Sequence, residues 1–175
     1  SLSNEVRALC EDTEHNLWVG LKDGKIRIYD KNRTELGYFT ETGTISHTGV
    51  PLKGNTYCIF QDSKHNIWIA TKGEGLVKAR PQGGGHYKLT RYCHSRDDIY
   101  SLSDNNVYCV YEDVKGRIWV ATFGGGINYL THNRGGREIF VNHRNNLKGF
   151  PIDNCHKVRF VTGDHRGNIW IATTV

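Results

Sequence analysis

Methionine is absent from the 175 residues, and proline occurs only 3 times. With no initiator residue and no leader pattern, the sequence reads as a mature segment or an excised piece of a longer chain. No apolar run approaches the ~20 residues that cross a bilayer as a helix. Apolar residues nowhere recur with the helical period. The cysteines are odd in number, 5, and none form a Cys-x-x-Cys pair, which argues against a zinc site and against a full disulfide framework. Gly-x-Ser-x-Gly, a phosphate-binding glycine loop ahead of a helix, and His-Glu-x-x-His are all missing. No catalytic residue, metal or cofactor is therefore expected. An excess of one charge is nearly lacking too: 23 basic against 18 acidic residues leave +5. The basic residues are interspersed with acidic ones, and the densest run, His132 to Arg137, lies among glycines. That is a solvated surface rather than the clustered stripe a nucleic acid requires.

What is abundant is glycine, 20 residues, with 19 aromatics and many Val, Ile and Thr. This composition favours strands joined by tight turns. The four tryptophans, Trp18, Trp68, Trp119 and Trp170, are spaced by 50, 51 and 51 residues. Six residues before each stands an aspartate: Asp12, Asp62, Asp113 and Asp164. Twelve before each stands Val6, Thr56, Val107 or Val158, and two after each stands Gly20, Ala70, Ala121 or Ala172. A period of this size decides the architecture before any single residue does.

The third copy shows the unit. Val107–Tyr111, Ile118–Thr122, Ile127–Leu130 and Glu138–Asn142 are strand-like runs separated by turn residues. The second run is apolar on consecutive positions, so it is buried on both faces. Repeating four-stranded antiparallel sheets, each sandwiched by its neighbours, describe an all-β fold, a β-propeller. The length gives about three and a half blades of a larger ring, with bounds near 3–52, 53–103, 104–152 and an incomplete 153–175. Two raw faces would then leave apolar sheets uncovered, so residues 1–175 are not expected to fold alone.

Repeated residues are explained by the fold, since catalysis needs one site and not four. Each repeated aspartate should accept backbone N–H bonds in its turn. His15 and His65 stand where other copies have Gly116 and Gly167, so they read as positive-φ turn residues. Cys58 and Cys109 share one register and read as small buried hydrophobes. A bridge between them is not expected, because neighbouring inner strands should diverge beyond the ~7 Å a disulfide spans. Function must lie where the copies differ, in the connections near 41–55, 95–106 and 144–157 and in the turns between second and third strands. Lys22, Lys72 and Phe123 occupy that turn, and Asn55, Asn106 and His156 precede the inner strands. Amide donors, cations and an aromatic ring suit a sugar.

Tyr111-Glu112-Asp113-Val114-Lys115-Gly116-Arg117-Ile118-Trp119-Val120-Ala121-Thr122 and the run Asp164 to Thr173 resemble the two-component regulator propeller repeat. The resemblance implies the periplasmic sensor region of a Bacteroides-type hybrid histidine kinase anchored in the inner membrane. By that resemblance the segment is a non-catalytic module responding to glycan-derived signals. Its partners would be an oligosaccharide, further blades and signalling domains of the parent chain, and a second copy in a homodimer. The linker Asn145 to Asn154 looks like those sensors in particular. Copies one and two depart from the repeat by lacking the turn glycine. A scaffold for protein–protein contact is the alternative; a sialidase-type or lyase-type enzyme is less favoured, because no copy singles out a catalytic set.

Overall fold

The computed structural model describes residues 5–145 and 155–174; the segments 1–4 and 146–154, with most of the predicted 145–154 linker, and Val175 lie outside the described residues. The described chain forms four antiparallel sheets in sequence order. The first comprises β1 (Val6–Glu11), β2 (Leu17–Leu21), β3 (Ile26–Tyr29), β4 (Glu35–Phe39) and a short fifth strand, β5 (Ile45–Ser46). That fifth strand extends the four-stranded unit, pairing Tyr38 with Ser46 and Phe39 with Ile45. The second sheet is β6 (Asn55–Gln61), β7 (Ile67–Lys72), β8 (Leu76–Gly83) and β9 (His86–Tyr92). The third is β10 (Val107–Glu112), β11 (Ile118–Thr122), β12 (Gly126–His132) and β13 (Glu138–Val141), followed by a 3-10 turn at His143–Asn145. The fourth contains β14 (Val158–Gly163) and β15 (Ile169–Thr173).

First strands touch in series: β1 with β6, β6 with β10, β10 with β14. The sheets therefore stand face to face around a common axis, as propeller blades do. Between each pair lies one apolar core. Trp18, Phe39 and Ile28 meet Ile59, Ile67 and Val77 in the first; Trp68 and Leu76 meet Val110, Ile118 and Phe140 in the second. Trp119 and Ile127 meet Val158 and Val161 in the third. Trp18, Trp68 and Trp119 thus each face the following sheet. Trp18, Trp68 and Trp119 are buried, whereas the equivalent Trp170 is 62% exposed. At the other end Leu9 is 61% exposed, while its repeat partners Ile59, Val110 and Val161 are buried.

One small latch recurs and explains the Asp-to-Trp spacing of six. Asp62 Oδ1 accepts the backbone N–H groups of Lys64 and Asn66, both at 2.9 Å. Its Oδ2 accepts the indole Nε1–H of Trp68 at 2.7 Å. Asp12 and Asp113 repeat the arrangement, with indole contacts of 2.9 Å and 2.8 Å. Each carboxylate closes its own turn and also satisfies the one polar atom of a buried tryptophan, as a buried N–H requires. The turn needs a left-handed residue three before the tryptophan. His15 and His65 both stand at φ 64°, where the other copies have glycine. Neighbouring turns are joined: Gln61 accepts from the N–H of Thr13 at 2.8 Å, and Glu112 accepts from the N–H and hydroxyl of Ser63 at 2.6 and 2.7 Å.

Cys58 and Cys109 lie on adjacent inner strands and are not bridged. Cys58 packs against the core that holds Cys109, and the Cys109 thiol lies 3.5 Å from the Val161 carbonyl oxygen. Inner strands are closest near the axis, and this register points into the gap between sheets. The contact with Cys109, then burial, raises the Cys58 thiol well above its ordinary range. All five cysteines are free thiols.

Candidate functional site

The rim of the axis is built where first strands begin and second strands end. Asn55 pairs directly with Lys72 across β6 and β7, so the start of one strand and the turn after the next share one edge. The following sheet closes that edge through its backbone. Gly73 and Gly75 donate to the Asn105 carbonyl, at 3.1 and 3.0 Å. Gly124 and Gly126 donate to the His156 carbonyl, at 2.7 and 3.0 Å. A Cβ on Gly75 would stand 2.2 Å from the Tyr92 carbonyl oxygen, so only glycine fits this approach.

The six sequence-predicted residues share this rim but not one pocket. Asn55 and Lys72 line an open depression of about 420 Å³ with Asp23, Lys25, Leu52 and Glu74. Lys22 is paired with Glu5 at 3.0 Å. The Asn106 amide donates to Asp104 at 2.9 Å. The His156 ring packs edge-on against His143, with centroids 5.3 Å apart. Burial, then His156 and Arg144, lowers the His143 imidazole from its ordinary value. Phe123 is half-buried beside Tyr108, centroids 5.2 Å apart.

A second set escaped sequence reasoning. In every sheet the pairing of first and second strands slips by one residue, between Val6 and Ala8, Thr56 and Cys58, Val107 and Cys109, Val158 and Phe160. The skipped residues are Arg7, Tyr57, Tyr108 and Arg159. A bulge of this kind leaves one residue out of the ladder and re-aims its side chain. Here the four side chains meet along the axis. Tyr57 and Tyr108 stack at 4.6 Å and 18°. Arg7 lies over Tyr57 at 5.4 Å and donates to its hydroxyl at 3.3 Å. Arg159 lies over Tyr108 at 5.7 Å and over Phe123 at 4.9 Å. Lys157 also lies over Phe123, at 5.9 Å. Burial and the Tyr57 hydroxyl raise the Tyr108 phenol, with Arg159 and Arg7 pulling partly the other way. The available signal was the constant register, eleven before each tryptophan, where Arg, Tyr, Tyr and Arg alternate with small or apolar residues.

Residues 1–23, 51–73 and 101–124 match the two component regulator propeller family. A curated relative, histidine kinase P4 of Formosa agariphila, is 30% identical over 71 residues, 41% of this chain and 5% of that protein. The extracellular domain of a protein assigned as a hybrid two component system of B. thetaiotaomicron superposes with a TM-score of 0.67 at 26% identity. The match covers 99% of this chain and 21% of that one, so the chain spans about a fifth of the solved domain. Virginiamycin B lyase from Staphylococcus aureus superposes with a TM-score of 0.62 at 14% identity, over 99% of this chain and 50% of that one, a likeness of fold alone.

Proposed function

We propose that this chain, which belongs to the two component regulator propeller family, is a non-catalytic recognition module in the periplasmic sensor region of a hybrid two-component histidine kinase. Its signal is a glycan-derived oligosaccharide. The observation that carries this reading is the division of labour among the repeats. The Asp–Trp latch recurs in each copy, whereas the rim positions vary, with Lys22, Lys72 and Phe123 in one register and Asn55, Asn106 and His156 in the other. A rigid scaffold with variable loop-edge residues is the arrangement of a binding face. Lys72 and Asn55 in their depression, with Phe123, Lys22, Asn106 and His156 on the same rim, supply ring, amide and cationic groups for a polyhydroxyl ligand. Blades at 3–52, 53–103, 104–152 and 153–175 belong to this proposal. So do further sheets that cover Trp170 and Leu9, which are exposed where their repeat counterparts are buried.

Calorimetry of the full extracellular region against an oligosaccharide panel tests the reading. Saturable binding that Lys72→Ala and Asn55→Ala weaken supports it. Binding confined to another domain, unchanged by rim variants, favours a scaffold role.

A further inference from the structure

Four bulges at one register place Arg7, Tyr57, Tyr108 and Arg159 side by side along the axis. Sheet closure does not call for this composition. Ring faces are occupied, Tyr57 against Tyr108 and each outer face under a guanidinium. The groups left to a ligand are therefore the N–H forks of two arginines, the phenol hydroxyls, and the ammonium of Lys157 above Phe123. Arg7, Arg159 and Lys157 are exposed, and among the described residues none of them has an ion-pair partner. The carboxylates on the same segments are already engaged: Glu5 with Lys22 at 3.0 Å and Asp104 with the Asn106 amide at 2.9 Å. Three cations are thus held in place by aromatic rings, with no ion pair to a carboxylate among the described residues.

We infer that this axial ladder is an anion-binding site, and that the saccharide recognised at the rim carries carboxylate or sulfate groups. The inference rests on the sensing reading above and deepens it by naming the ligand class and the groups that hold it. A guanidinium presents two parallel N–H donors to a carboxylate or sulfate, a geometry a neutral hydroxyl does not match. Stacking on Tyr57 and Tyr108 fixes each fork before the ligand arrives, so little side-chain freedom is lost on binding. Tyrosine hydroxyls between the two arginines supply the neutral hydrogen bonds of the sugar ring.

The test uses the full extracellular region and three probes: trigalacturonate, a sulfated disaccharide, and neutral galactotriose. The expected result is that an anionic probe binds and that galactotriose binds at least tenfold more weakly. Raising salt from low to physiological strength should weaken the anionic binding, since exposed charges are screened. Arg7→Gln and Arg159→Gln should each reduce affinity for that probe about tenfold. Arg134→Gln, in the exposed turn between β12 and β13, should leave it unchanged. Circular dichroism and melting of each variant must match the parent, so that a folding defect is not read as lost binding. No binding of either anionic probe, or binding that ignores Arg7 and Arg159, overturns the inference. Galactotriose binding that only rim variants weaken overturns the inference while leaving glycan sensing intact.

Discussion

Asp62→Ala should be far costlier than Asp30→Ala, although the two aspartates close the same turn. Asp30 lies between β3 and β4. Its Oδ1 accepts the N–H groups of Asn32 and Thr34, both at 2.8 Å. Arg33 there adopts φ 66°, as His65 adopts 64° after Asp62. The backbone bonds match as well: Arg33 to Asp30 and His65 to Asp62 at 2.9 Å. What differs is the other carboxylate oxygen. In Asp62 it holds the Asn66 amide at 2.9 Å and the indole of fully buried Trp68 at 2.7 Å. Losing the turn bonds alone costs about 1 kcal/mol, as a capping residue does. Stranding a buried indole N–H adds about 1–3 kcal/mol. We therefore expect about 1 kcal/mol for Asp30→Ala and about 3 kcal/mol for Asp62→Ala. Denaturant titration followed by tryptophan fluorescence measures both; the midpoints should shift without a change in slope. Losses equal within about 0.5 kcal/mol would show that the turn, and not the indole, is what the aspartate serves, and would refute the latch.

Acid should weaken the same latch. Burial pushes the Asp113 carboxyl up, but hydrogen bonds from the Trp119 indole and from Arg117 hold it below its ordinary value. A carboxyl depressed in the folded state contributes stability above the unfolded value near ~3.9 and loses it as pH falls further, so melting temperature should drop below about pH 4 and Asp113→Asn should flatten that limb. At pH 8 iodoacetamide should modify exposed Cys93 first, with buried Cys109 following only on unfolding; equal rates for Cys109 and Cys93 would contradict that burial. Gly116→Val should cost about 1–2 kcal/mol because φ is 74° there, whereas His15→Gly should be neutral or stabilising. Thermal melts of the two variants should move in those opposite directions.

The scaffold was legible because it repeats. Spacing the tryptophans by 50 and 51 residues is enough to infer four sheets, and consecutive apolar positions around each Trp are enough to bury the second strand. Even the positive φ of His15 and His65 follows from aligning them with glycines. The fifth strand, Ile45–Ser46, was not legible, since two residues carry no period. Partners outside the local turn escaped as well. That each aspartate reaches the indole six residues on depends on how the turn folds back over the strand. The Cys58–Cys109 contact depends on how closely inner strands converge, a distance that no spacing within one copy encodes.

The axial ladder shows why such sites hide in repeat proteins. Sequence reasoning discounts any position that every copy occupies, because recurrence signals scaffold. That rule applies to identity and fails for geometry. In the bulge, the backbone event recurs in every copy while the residue it delivers does not: Arg, Tyr, Tyr, Arg. The propeller fixes where the side chain goes, and the sequence remains free to choose what arrives there. A bulge costs a ladder hydrogen bond in each sheet. Four such losses at one register are hard to attribute to closure, since the neighbouring residues Ala8, Cys58 and Cys109 already fill the space between sheets. The losses become intelligible when the four side chains are taken as one surface. Rim and ladder then form a continuous face, with a depression at Lys72 and Asn55 on one side and cations over Phe123 on the other. Ligand chemistry is written in the places where a constant backbone carries changing residues.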